Sequence, residues 1–462
     1  MRLALAFFAS GAAGLLFEVL WFRALGRALG NTVWAATVVL TAFMLGIAIG
    51  ALLASRWRPR HAGRAFAAAE LTVGTLGILL VWALPALEST IAQALAPLAE
   101  NGAALTGARL LIALLALLVP TTAMGMTLPF GVRMLADRET TRALGMLYAA
   151  NTLGACVAPL TAEYLLIGTL GLRGTAFAAA SLNLLAATLA WLHPVPAVVA
   201  RAEPRSRVPR RLLAAAAGAG ALALGLEVVW FRLLLLHAEG TDTSFALMLM
   251  LLLLGVALGG AIAPLLARLQ PAWIVAAASV AVVLGYWLAS PAETAAGVLR
   301  YAVPLMIPAC VLSGALFTLL GSMLRGDAAD PSPAIGRLTA ANTLGGAIGA
   351  AAAGLALLPH AGMEASLFVI AAGYALFALL FVEARSWKTW VPFAAAAAAL
   401  AFFPFGLMRS HLAQAAHVYL AMGRAQVVSV TEGPVTTLQV LRSDRFGEPF
   451  RWRLHVVRPS LG

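Results

Sequence analysis

The sequence is poor in charge. Only 11% of its 462 residues are Asp, Glu, Lys or Arg, less than half the roughly 25% of a soluble globular chain. Set beside 62% hydrophobic residues and a mean hydropathy of +0.92, that shortage excludes a water-soluble fold. The apolar runs also lack the two-residue alternation of barrel strands. They are continuous and rich in Leu and Ala, so helices that satisfy their own backbone groups in lipid are what remains. Cysteine is scarce as well. Cys156 and Cys310 lie inside apolar runs with no C-x-x-C and no flanking His, and read as small packing residues. The seven histidines form no metal-spaced pair within a segment, and no nucleophile constellation appears. We therefore expect no catalytic residue, no metal and no cofactor.

The formal charge of +12 does not point to nucleic acid, because the arginines sit in short connections between apolar segments, as orientation signals do. The expected partner is the lipid bilayer. Met1-Arg2 and the following run resemble a secretory signal, but the run carries Glu18, lacks an A-x-A-like site and matches an internal segment, so we expect it to be retained.

An internal repeat organises the chain. Glu18-Val19-Leu20-Trp21-Phe22-Arg23 returns as Glu227-Val228-Val229-Trp230-Phe231-Arg232, and Gly46 and Gly50 return at the same offset as Gly255 and Gly259. Asn151-Thr152-Leu153-Gly154 returns as Asn342-Thr343-Leu344-Gly345 at a smaller offset, so one connection has shortened. Six hydrophobic segments make up the first half, at 3–22, 33–53, 65–84, 105–119, 144–167 and 175–192. Six follow at 212–236, 244–266, 272–289, 301–324, 335–358 and 365–381, and a thirteenth run, 390–408, has no repeat partner.

The expected architecture is an all-α polytopic membrane protein: a first six-helix repeat at 1–193, a basic Pro-rich cytoplasmic linker at 194–211 and a second repeat at 212–385. An extra hydrophobic helix at 386–408 and a β-stranded tail at 409–462 complete it. An even number of crossings per half makes the two repeats parallel, related by an axis along the membrane normal. Arginines crowd alternate connections, for example Arg56, Arg58, Arg60 and Arg64. The others hold only Arg23, Arg27, Arg173, Arg232 and Arg300, which places the N-terminus in the cytoplasm, in a bacterial inner membrane. The run 390–408 is long enough to cross. The tail shows three β-prone stretches, 425–430, 435–442 and 451–457, an expected antiparallel meander.

Intramembrane acids normally face the bundle interior and find a partner. Glu18 and Glu227 are the sharpest such signals, with Arg23 and Arg232 off their own glutamates' faces. Pairing Glu18 with Arg232 and Glu227 with Arg23 would make a cation or amine site between the halves. The bland reading is a structural ion pair with Trp21 and Trp230 as interfacial anchors. Glu70 has no acidic counterpart in the second half, as a substrate site on a pseudo-symmetric scaffold would have it, and could instead reach water at a helix end. Arg109 is a doubtful partner for it, and Glu163 and Asn183 are weaker candidates. Asn151 and Asn342, each followed by Thr, are expected to hydrogen-bond between helices or to hold ligand. The Gly-x-x-x-Gly pairs read as packing, and Pro120, Pro129, Pro264 and Pro308 as interruptions or hinges.

Six plus six parallel helices around a basic central loop is also the arrangement of major facilitator transporters. Several stretches resemble the membrane region of the fused spermidine synthase-like proteins: Gly14 to Arg23, Gly46 to Gly50, Pro120-Thr121-Thr122-Ala123-Met124-Gly125-Met126-Thr127-Leu128-Pro129, and Leu147-Tyr148-Ala149-Ala150-Asn151-Thr152-Leu153-Gly154. The resemblance implies a transporter-like domain that precedes a polyamine aminopropyltransferase-like domain, with 427–457 as the β-stranded entry of the latter. The Gly-rich acidic loop and the aspartate such a domain needs are not in the sequence, so aminopropyl transfer is not expected of it. Three functions follow as expectations: a membrane domain that moves a polyamine-like, cationic or amine substrate or anchors a synthase-like domain or subunit; a free-standing major-facilitator-like transporter; and an intramembrane enzyme acting through Glu18 and Glu227.

Overall fold

The computed structural model describes residues 2–30, 33–57, 59–134, 140–193, 208–236, 241–289, 295–324, 332–382, 390–409, 425–432, 437–445 and 448–457. Most of the linker at 194–211 lies outside them. The first half folds as α1 (Arg2–Leu29), α2 (Val33–Arg56), α3 (Ala62–Leu95), α4 (Gly102–Arg133), α5 (Thr140–Thr161) and α6 (Ile167–Trp191). The second folds as α7 (Arg210–Leu234), α8 (Thr241–Leu266), α9 (Pro271–Leu288), α10 (Ala295–Ser322), α11 (Ser332–Ala352) and α12 (Leu358–Ala378). A shorter helix α13 (Val391–Ala401) and strands β1 (Ala425–Glu432), β2 (Thr437–Arg445) and β3 (Glu448–Val457) follow, the strands forming the expected antiparallel meander in the order β1-β2-β3.

Ten apolar stretches among the described residues are long enough to cross a membrane, and the two longest run 45 and 49 residues. A crossing takes about 20 residues, so each of these holds two. The chain reverses inside them at a glycine in the left-handed region, Gly171 (φ 69°) in the first half and Gly362 (φ 75°) in the second. Each reversal follows a π-helical turn, Ala162–Leu166 or Ala353–Leu357. Ten stretches with two counted twice give the expected six crossings per half. The prolines do not interrupt: α4 runs through Pro120 and Pro129, α8 through Pro264, and α10 through Pro304 and Pro308. Neighbouring helices hold a transmembrane helix together around a proline.

The repeat is carried by glycines that let backbones touch. Gly11 and Gly154 leave no room for a Cβ between α1 and α5, against the carbonyls of Asn151 and Phe8. Gly220 and Gly345 do the same between α7 and α11, against those of Asn342 and Ala217. Gly50 and Gly125 join α2 to α4 as Gly259 and Gly314 join α8 to α10. In lipid, close backbone approach of this kind is what drives helices together. The halves meet along two equivalent seams, α2 against α11 and α5 against α8.

The α3–α4 hairpin is where the halves differ in length. Arg64 lies 5.3 Å over the Trp191 ring, and Arg173 lies 4.0 Å over Trp82. Both tryptophans are exposed, and the 18-residue rise from Arg64 to Trp82 along α3 is about 27 Å, close to a hydrocarbon core of about 30 Å. These are interfacial anchors in the role expected of Trp21 and Trp230. The latter two are buried instead, at 0% and 1% exposure, and Trp21 packs inside the bundle against the rings of Phe17 and Phe43. Past Trp82, α3 continues to Leu95, overhanging the interface by about 20 Å, whereas its repeat mate α9 stops at Leu288. This accounts for the change of repeat offset seen in the sequence.

The thirteenth run is mostly not a membrane helix. α13 has 11 residues, about 16 Å, too short to cross alone. The chain nevertheless regains the bundle's length. α12 begins beside Glu364 and its helical turns end at Phe381, yet the backbone N–H groups of Gly406 and Met408 donate to the Glu364 carboxylate at 2.9 and 3.2 Å. Tyr286, at the end of α9, donates to the same carboxylate at 2.9 Å, and Phe403 stacks on its ring. The chain therefore leaves Met408 at the end of the bundle opposite the start of α1, the far end, where α1 stops and α2 begins.

Candidate functional site

Repeat symmetry places Glu18 on α1 and Glu227 on α7 near the seam, deep in the protein at 7% and 2% exposure. Each stands about one turn before the phenylalanine at which α1 and α7 meet, Phe22 and Phe231. Neither meets an arginine among the described residues, which corrects the expected cross-pairing. Arg23 turns outward at the end of α1 and donates to Asp242, in the first turn of α8, and at 3.4 Å to Glu163 in the π-helical turn after α5. The hydroxyl of Thr243 donates to the same Glu163 oxygen at 3.4 Å. The physical reason is reach: one and a half turns separate Glu18 from Arg23, so the arginine lies nearer the helix ends, where the competing acids sit. Arg232 is buried, at 7% exposure.

One turn further out than the carboxyls, the repeat partners Phe22 and Phe231 meet edge to face, their centroids 5.9 Å apart. Phe245 of α8 stacks on Phe22 at 3.7 Å and stands edge-on to Phe231 at 5.9 Å. Beside this trio is a small gap of about 10 Å³, lined by the three rings, Thr37, Met248 and Glu227 among others, no larger than about one water needs. Glu227 Oε1 has no hydrogen-bond partner there among the described residues. Rings and ion pairs together close the far end.

Glu70 belongs to a separate, one-sided arrangement. It is 1% exposed, so it does not reach water as one reading of its place near a helix end allowed. Its carboxylate accepts from the Ser10 hydroxyl of α1 and, at 2.7 Å, from the Asn183 amide of α6. Asn183 Oδ1 is left without a partner among the described residues. Arg109 is not involved; it lies at the far end over Gly30 (φ 95°) in the α1–α2 turn. At the equivalent positions the second half has Ala219, Ser279 and Tyr374. Ser279 donates to the Ala371 carbonyl at 2.7 Å, and Tyr374 and Ser313 share a hydrogen bond of 3.1 Å.

Asn151 and Asn342 hold equivalent places at the glycine contacts of α1 with α5 and of α7 with α11. The hydrogen bonds expected between helices are not what joins them. The hydroxyls of Thr152 and Thr343 turn back onto their own helices, at the carbonyls of Tyr148 and Thr339, both at 2.8 Å. Close packing leaves the backbones in contact and makes a side-chain bridge unnecessary.

The structure thus sets Glu18 and Glu227 about one turn from the same Phe22–Phe231 contact and joins Glu70 to Asn183, while Arg23 and Glu163 form a third cluster. Ser10, Asp242 and Phe245 are participants that the sequence did not single out. Their repeat counterparts are Ala219, Val33 and Ala36, so a search for shared motifs passes over them. The cue available for Asp242 and Phe245 was their place in the first turns of an apolar helix, opposite the end of α1.

No protein-family model matches the sequence, and no curated protein matches it. Solved structures do match. The human organic anion transporter MFSD10 (TETRAN) aligns with a TM-score of 0.55 at 14% identity, over 82% of this chain and 98% of that one. The E. coli fucose:proton symporter FucP aligns at 0.51 and 14%, over 82% and 96%, and the nucleoside transporter NupG at 0.53 and 15%, over 82% and 98%. The fold is that of a major-facilitator-type membrane domain. Nothing among these similarities supports a fused spermidine synthase-like domain.

Proposed function

We propose that this protein is a transporter of a small solute, which it carries through the seam between its halves by exposing that seam to one side of the membrane at a time. The observation that carries the reading is the repeat-related pair Glu18 and Glu227, two buried carboxyls about one turn from the Phe22–Phe231 contact between the halves, with no ion pair to either among the described residues. Acids in such surroundings call for a cation or for protons from elsewhere, so the solute is a cationic amine. The polyamine-like substrate implied by the sequence resemblance is one member of that class. Asn151 and Asn342 sit at the helix contacts inside each half, on α5 and α11, the helices that also form the seams. Glu70, tied by hydrogen bonds to α1 and α6, gives the first half a titratable group the second half lacks. The crowding of arginines on alternate connections supports a cytoplasmic N-terminus and linker, and a bacterial inner membrane is the location proposed with it.

Uptake of labelled amines into proteoliposomes tests this. Wild-type protein should accumulate label above empty liposomes, Glu18→Gln and Glu227→Gln should abolish uptake, and Glu70→Gln should reduce it. Uptake equal in empty liposomes and in every variant sinks the proposal.

A further inference from the structure

The first half holds a buried acid away from the seam. Ser10, Glu70 and Asn183 each stand eight residues from the end of the helix that carries them, at Arg2, Ala62 and Trp191, and those three ends lie on the side where α1 starts. The cluster is therefore about 12 Å inside the bundle. Glu70 and Asn183 are 1% and 2% exposed. Among the described residues the carboxyl meets two neutral donors, the Ser10 hydroxyl and, at 2.7 Å, the Asn183 amide, and no ion pair.

The charges on α3 and on the helices packed against it all lie elsewhere. Arg2 and Glu18 stand eight residues to either side of Ser10 on α1, about 12 Å along the axis, with Arg23 and Arg27 further out. Arg64 of α3 lies over Trp191 and Arg173 of α6 over Trp82. Arg109 and Arg133 stand toward opposite ends of α4, and Glu88 is on the overhang past Trp82. The cluster is also one donor short. Both neighbours donate to the carboxyl, and Asn183 Oδ1 is left buried with no partner among the described residues.

We infer that Glu70 binds a proton in this closed arrangement, and that the protein exchanges this proton with water in the course of carrying solute. An ionised carboxylate here would be a buried charge facing only neutral groups, and such a group neutralises itself. The added O–H is the donor the cluster lacks: Ser10 Oγ can accept it, and so can Asn183 Oδ1 once its amide turns over. A proton needs no space beyond the bonds already made. The second half has Ala219, Ser279 and Tyr374 at the equivalent places, so the site takes one proton per chain. It lies off the seam, and proton and solute do not compete for one carboxyl. The exchange rests on the transport reading; the binding does not.

Infrared difference spectra of the full chain in nanodiscs test the binding without any solute. At about pH 6, where a water-exposed glutamate of pKa about 4.3 is ionised, wild-type protein minus Glu70→Gln should show a carboxylic-acid C=O band. Asn183→Leu should shift that band, and serves alone should Glu70→Gln fail to fold, since it keeps the acid and changes its surroundings. Proteoliposomes test the exchange, with labelled spermidine as the probe and empty liposomes subtracted. An imposed pH gradient should change wild-type uptake at least about fivefold, as coupled sites do, and leave Glu70→Gln unchanged. Exchange of internal for external spermidine at equal pH should persist in Glu70→Gln. A wild-type spectrum with no band that depends on Glu70, or on Asn183, would overturn the inference, and so would loss of gradient-driven uptake and exchange together, which is what a purely structural role gives. The band without any spermidine carried by wild-type protein would remove the transport reading and leave the bound proton, whereas carriage without the band would do the reverse.

Discussion

The two halves make the same backbone contacts and hold different polar groups between them. Where α1 meets α5 and α7 meets α11, glycines stand at corresponding positions against corresponding carbonyls, and even the threonine back-bonds to Tyr148 and Thr339 correspond. Where the third helix of each half meets the sixth, the first half has a buried carboxylate with two donors and the second a serine on a backbone carbonyl. Duplication has preserved what makes the helices fit, and the two copies have diverged where chemistry can be done. The shared elements should therefore answer alike to substitution, and the divergent ones should not.

The largest effect should come from the shared elements. Gly11→Val and Gly220→Val each force a side chain into a backbone contact, and overpacking of that kind costs about 1–3 kcal/mol. The two should match in the loss of folded protein read by thermal or denaturant titration; a large effect in one half alone would break the equivalence. Next comes Glu70→Ala against Ser279→Ala. The first strands Asn183 and Ser10 at a cost of about 1–3 kcal/mol, while the second removes one ordinary hydrogen bond of about 0.5–1.5 kcal/mol. A double-mutant cycle of Glu70→Ala with Asn183→Ala should show coupling between the two, and strict additivity would mean that the hydrogen bond contributes nothing. Smallest is Asp242→Ala. The side chains of Arg23 and Asp242 are 22% and 24% exposed, where ion pairs contribute about 1 kcal/mol or less. Its readout is opening rather than melting, as faster labelling of a cysteine placed at Thr37 behind the ring trio.

Much of the architecture was legible because hydrophobic run length and an exact motif repeat are local signals. Glu18 and Glu227 could be placed at the seam from the duplication alone. What Arg23 binds could not, since its acceptors lie on α5 and α8, and nothing in the chain order near Arg23 says which acid is closest in space. Trp21 and Trp230 illustrate the same limit. A tryptophan beside a charge at the end of an apolar run suits a membrane surface equally well as a core position, and only burial in the bundle, for Trp21 against Phe17 and Phe43, decides it. The run 390–408 had the composition to cross as a helix. Pro404 and the turn at Gly406 (φ 95°) end the helical form early, while the chain still covers the distance.

That last detail carries a consequence for compartments. With Gly406 and Met408 fastened to Glu364, the chain at Met408 stands at the end of the bundle that the start of α1 does not face. Reporters placed ahead of α1 and just after Met408 would therefore glow or be quenched under opposite external conditions.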